Sequence, residues 1–133
     1  MPQQEIPPRV LAFLAEHIET VEQFQLLIRL VDSADRWWDA TTVARELGFA
    51  ESDAREALDH LAKRNLLDIR ITGDVRYQFH PGNRELLDVV IACTDLFHRR
   101  PLQVLEAITG PRTRSIRDFA DAFRIRKDDD DDR

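Results

Sequence analysis

The chain has little of what several protein classes require. Its 133 residues include one cysteine, one methionine, one tyrosine, four glycines and six prolines. A lone cysteine excludes an internal disulfide. Cys93 follows the apolar stretch Val89-Val90-Ile91-Ala92, which predicts a buried thiol rather than a reactive one. So few glycines and prolines do not supply the turns of an all-β fold. No stretch approaches the roughly 18 apolar residues of a membrane span, and Met1 to Arg9 lacks the charged-then-apolar order of a signal peptide. A cytoplasmic protein with no membrane partner is the expectation. The glycines stand alone, so there is no phosphate loop, dinucleotide fingerprint or nucleophile elbow. His17, His60, His80 and His98 lie far apart with no cysteine or histidine partner at ligand spacing, and they read as surface or boundary residues. Ser52 and Ser115 read as helix starts. No catalytic residue, metal site or cofactor is expected, and the chain does not read as an enzyme.

What is present suits one soluble domain. Hydrophobic residues make up 43% and charged residues 33%, enough for a single core and too short for a second full domain. The net charge of -6 is unevenly spread. Residues 1–98 hold 10 basic and 17 acidic groups, whereas residues 99–127 hold 8 basic and 3 acidic ones. The run Asp128 to Asp132 then reads as a solvated, disordered end that also shields Arg124, Arg126 and Lys127 from phosphates. An acidic body with a basic C-terminal segment differs from a generic polyanion binder, which carries its basic face on the main domain.

Apolar residues from Val10 to Ile18 and from Val21 to Val31 recur at helical spacing, and Thr20 with Gln23 offers a capping box at the second start. Two helices, or one bent one, open the chain. Ala34 to Ala40 reads as a connector with a short extended piece. There Trp37 and Trp38 point to opposite sides, either packing in the core or an interface or offering a ring for stacking. Thr41 or Thr42 then caps a short helix, Val43 to Leu47, which Gly48 closes in the left-handed conformation. A second helix covers about Ser52 to Arg64, with Asn65 as a residue that tolerates a left-handed terminus.

The period then changes from helical to alternating. Leu67, Ile69 and Ile71, then Val75, Tyr77 and Phe79, alternate with polar residues around a two-residue Gly73-Asp74 turn, which predicts a hairpin with one buried face. Leu86 to Phe97 is apolar nearly all round and predicts a buried helix. Pro101 to Ile108 forms a short helix ended by Gly110-Pro111, and Ser115 with Asp118 caps a last one. The basic residues Arg99, Arg100, Arg112, Arg114, Arg117, Arg124, Arg126 and Lys127 are interleaved with Phe119 and Phe123. They form either an amphipathic helix packed on the body or a surface that docks on nucleic acid or an acidic partner.

The run Val43 to Leu67 resembles the winged helix-turn-helix core of bacterial transcriptional regulators of the MarR and related families. A small residue at Ala44, a turn at Gly48, and Ala54, Leu58 and Leu61 seating the second helix carry the likeness, which extends over about Val21 to Pro81. The family's glycine after that helix is replaced by Asn65. The resemblance implies a mainly α fold with a small β-hairpin wing, with residues 1–98 as a winged helix-turn-helix domain with flanking helices, while the charge distribution sets off 99–127 as a basic helical extension and 128–133 as a disordered acidic tail. It also implies a homodimer built from the terminal helices and a DNA-binding transcriptional regulator. Ser52, Arg55, His60 and Lys63 would then lie on the recognition helix, with Arg70 and Arg76 on the wing facing double-stranded DNA.

The charges depart from that pattern. Glu51, Asp53, Glu56 and Asp59 also face outward, where carboxylates repel phosphates, and Ala50 has no side chain to cap the helix. The alternative is a winged-helix protein interaction module whose acidic helix face binds a basic protein partner. A third reading is a small-molecule sensor with an apolar cavity between the terminal helices.

Overall fold

The computed structural model describes residues 6–110. Helix α1, Pro8–His17, begins with a proline whose missing N–H is not needed in the first turn. Ile18 is extended, so the two opening segments are separate helices. Helix α2, Val21–Asp32, starts at Thr20, whose hydroxyl accepts from the Gln23 N–H at 3.0 Å. The Gln23 side chain in turn accepts from the Glu19 N–H at 2.7 Å, one residue further back than in the usual box. Phe24, Leu26, Leu27, Ile28 and Leu30 are all buried, which makes α2 the central helix.

Helix α3, Ala40–Leu47, starts three residues earlier than its sequence suggests. Asp39 caps it by accepting from the Thr42 N–H at 2.7 Å, so neither Thr41 nor Thr42 is the cap. Gly48, at φ 76°, closes it as expected. Helix α4, Glu51–Lys63, follows from Ala50, which makes no side-chain capping bond. Asn65 takes φ 70°, and the chain packs so tightly there that a Cβ on Gly82 would clash with the Asn65 side chain.

Strands β1, Leu67–Ile71, and β2, Val75–Phe79, pair antiparallel with Leu67 opposite Phe79, Ile69 opposite Tyr77 and Ile71 opposite Val75. This register makes the connection three residues, Thr72-Gly73-Asp74, rather than two, with Gly73 at φ 98°. Trp38 joins the hairpin through an isolated antiparallel bridge to Tyr77, each N–H donating to the other's carbonyl at 2.7 Å. Helix α5, Arg84–Arg99, is capped by Asn83, and residues 101–110 form helix α6.

The result is a mainly helical body with one small antiparallel hairpin. Helices α3 and α4 pack on each other, α2 packs on α4 and β2, and α1 packs on α5. An edge-to-face contact between Phe24 and Phe97, 5.1 Å between ring centres, ties α2 to α5. Val104 and Ile108 of α6 are buried in the same core cluster. Helix α5 is less enclosed than its composition suggests: Val90, Cys93, Thr94 and Leu96 are buried, but Ile91 is 52% exposed. No helix among the described residues is long and apolar enough to cross a membrane. The last helix predicted from Ser115, the basic residues from Arg112 to Lys127 and the Asp128–Asp132 run lie outside the described residues.

Candidate functional site

The expected site residues gather around α4 and the hairpin. Ala54, Ala57, Leu58 and Leu61 turn into the core, so Glu51, Ser52, Asp53, Arg55, Glu56 and Lys63 are exposed. Tyr77 links the two elements: its hydroxyl donates to Asp59 at 2.6 Å while its ring is buried. Burial, followed by the bond to Asp59 and the Asp59 charge, pushes the Tyr77 phenol up to about 12.

The three arginines expected to meet phosphates are held by neighbours. Arg55 bridges Glu51 at 2.7 Å one turn back, and Arg76 bridges Asp74 at 3.0 Å. Arg70 lies over the Trp37 ring, 4.3 Å from its centre. Exposed pairs of this kind contribute little to stability. They do set the local charge, because each of the two salt-bridged arginines would have to leave a carboxylate to reach a phosphate. His60 is half-buried, and its Nε2 lies 2.7 Å from the His17 carbonyl, so the ring joins α4 to α1. Ser52 and Lys63 remain exposed on the outer face.

The two tryptophans divide as their adjacency predicts. Trp38 is 1% exposed, whereas Trp37 is half-buried. Trp38 therefore serves the core, with the Arg36 guanidinium 3.7 Å from its ring centre and an indole N–H that has no hydrogen-bond partner among the described residues.

The hairpin corrects the expectation of one fully buried face. Leu67, Tyr77 and Phe79 are buried at its base, but Ile69 is 48%, Ile71 73% and Val75 41% exposed on the same side. These three side chains overhang α4 and the start of α3. Together they form an open groove of about 650 Å³ lined also by Asp39, Arg55, Asp59, Asp74 and Tyr77. Asp39 and Asp59 have no ion-pair partner among the described residues. The hydrogen bonds Asp39 accepts from Thr42 hold its carboxyl below the usual range. The groove thus combines an apolar wall with an acidic rim.

Elsewhere the chemistry is sparse. Cys93 is buried, and burial pushes its thiol up to about 12, which leaves an inert core residue. His17 and His60 lie at the boundary of the body, and His80 and His98 are exposed. No group of three or more metal-binding side chains occurs among the described residues. A second open hollow, about 640 Å³, lies between α1 and α5 and is lined by both charged and apolar residues, including Arg9, Phe13, His17, Arg64 and Leu86. No known family model, curated protein or solved structure matches the chain.

The groove's apolar wall is the feature the sequence did not reveal. The alternation of Ile69, Ile71 and Val75 records that they share a face, but not how much of that face the helices cover. The one available signal is local. Ile71 and Val75 flank the turn directly, and the tip of a two-stranded hairpin extends furthest from what packs on its base.

Proposed function

We propose that the chain is a winged helix-turn-helix domain that uses its second helix and wing as a protein-docking surface. Helices α3 and α4 form the helix-turn-helix, and β1 and β2 the wing. The observation that carries this reading is the exposure of Ile69, Ile71 and Val75 over a groove edged by Asp39, Asp59 and Asp74. Exposed apolar side chains gathered in one place mark interaction surfaces more than isolated ones do. The acidic rim selects a partner segment that carries basic residues beside apolar ones. The arginines nearest the groove support the same reading, since Arg55 and Arg76 are already paired with Glu51 and Asp74.

A DNA-binding transcriptional regulator is the second reading. It draws on the exposure of Ser52 and Lys63 along α4 and on the sequence resemblance. Against it stand the exposed Glu51, Asp53 and Glu56 on the same helix, which would sit close to the phosphate backbone. A homodimer built from the terminal helices belongs to either reading, with Leu11 on α1 and Ile91 on α5 exposed to supply its contact.

The test is the anisotropy of a fluorescein-labelled amphipathic peptide, with leucines at helical spacing and arginines between them, titrated with the full chain. Saturable binding that is lost in Ile71→Asp and weakened by Asp59→Lys is the expected result. Binding of equal strength in wild type and Ile71→Asp would remove the groove from the function.

A further inference from the structure

The sequence itself contains a segment of the chemistry that the groove selects. Residues 112–127 carry six basic groups, Arg112, Arg114, Arg117, Arg124, Arg126 and Lys127, against the two acids Asp118 and Asp121. Ile116, Phe119, Ala120 and Phe123 recur within it at helical spacing. On the other side, the groove offers Ile69, Ile71 and Val75 as an apolar wall. Its rim carries Asp39 and Asp59 without an ion-pair partner among the described residues, beside Asp74 bridged by Arg76 and Arg55 bridged to Glu51. Apolar side chains match the wall, and the excess of each charge meets the other.

We propose that the segment Arg112 to Lys127 docks into the groove between α4 and the hairpin of its own chain, with Phe119 and Phe123 against Ile69, Ile71 and Val75. This inference rests on the protein-docking reading and adds a regulation to it, because the tethered segment competes with any external partner for the same wall. Tethering favours the same chain over a second copy. A segment that begins two residues after Gly110 is present at a high effective concentration wherever its reach extends, whereas a second copy must be supplied from solution. Docking of this kind covers the exposed Ile69 and Ile71 of β1 when no partner is bound and yields to a partner that binds more tightly.

The experiment places a nitroxide on Asp121→Cys in the full chain and reads the methyl resonances by NMR. Cys93 is buried, so the introduced cysteine alone takes the label. Ile69, Ile71 and Val75 are expected to lose most of their intensity, while Leu11 and Ile91 keep theirs. The loss should diminish with added salt, as an ionic contact at an exposed rim requires. It should vanish in Ile71→Asp, whose side chain is 73% exposed and whose substitution leaves the core intact. Unchanged intensities at all three residues, or a loss centred on Leu11 and Ile91, would overturn the proposal. So would a loss seen only on mixing labelled molecules with unlabelled isotope-enriched ones, because that would assign the segment to a second copy.

A second readout separates this inference from the reading beneath it. Replacing Phe119 and Phe123 together by serine should tighten binding of the external arginine-leucine peptide by about tenfold, since the competitor is removed. Equal peptide affinity with and without the two phenylalanines would defeat self-docking and leave the docking groove standing. No peptide binding by either chain would defeat both.

Discussion

The two halves of one hairpin face are both built of large hydrophobic residues and have opposite fates. At the base, Leu67, Tyr77 and Phe79 sit 4–8% exposed against the helices. Toward the tip, Ile69, Ile71 and Val75 are 41–73% exposed. The cross-strand register puts all six on one side, so strand propensity does not separate them. What separates them is the strand and the level of the hairpin that each side chain occupies. Tyr77 and Phe79 lie on β2, where Tyr77 bridges Trp38 and its hydroxyl meets Asp59, whereas Ile69 and Ile71 lie on β1 and Ile71 and Val75 flank the turn. Burial gives the inner half its role in stability, and exposure leaves the outer half open for the docking role proposed above.

Substitutions should separate the halves in the order of their expected effects. Phe79→Ala removes a core aromatic and is expected to cost about 3–5 kcal/mol in chemical denaturation. A cost near that of a surface change would show that the base is not part of the core. Asp39→Ala removes the α3 cap at the edge of the groove and should cost about 1 kcal/mol, read in the same way. Retention of full stability would mean that the Thr42 N–H finds another acceptor.

A smaller effect is expected from pH. Burial, the largest influence on His17, lowers its pKa below the ordinary 6.5 and so favours the neutral ring in the folded state. Its contribution is therefore present above that ordinary value and is lost as pH falls through it toward the folded value. Stability should decline over that acidic range in the wild type and decline less in His17→Gln, which equilibrium unfolding at a series of pH values will show. Smallest of all, Ile71→Asp should change stability by no more than about 0.5 kcal/mol while abolishing peptide binding. A large loss of stability there would make the tip structural and erase the contrast between the halves.

Much of the fold was legible because its signals are local. Thr20 with Gln23, Gly48 and Asn65 each mark a helix end through their own chemistry, and the structure uses each of them there. The start of α3 was misread for a nonlocal reason. Asp39, Thr41 and Thr42 are all good capping residues, and the choice among them depends on where Trp38 leaves its bridge to Tyr77. The site was legible in its charges and not in its shape. The exposed acids of α4 stand where the helical period puts them, but His60 turns to the His17 carbonyl and Arg70 to the Trp37 ring, contacts made across long sequence separations. The apolar wall escaped notice for the same reason as the split hairpin, because the extent of cover by α4 is a property of packing.

The central claim is that the face formed by α4 and the hairpin receives a protein segment rather than a DNA backbone. It is tested most directly by titrating a labelled random duplex with the wild type and with the Arg55→Ala, Arg76→Ala double variant across a range of salt concentrations. The account predicts that the two proteins give the same affinity and the same salt dependence, because these arginines serve Glu51 and Asp74 and not phosphates. A double variant that binds about tenfold more weakly, with a salt slope shallower by one or two phosphate contacts, would contradict it.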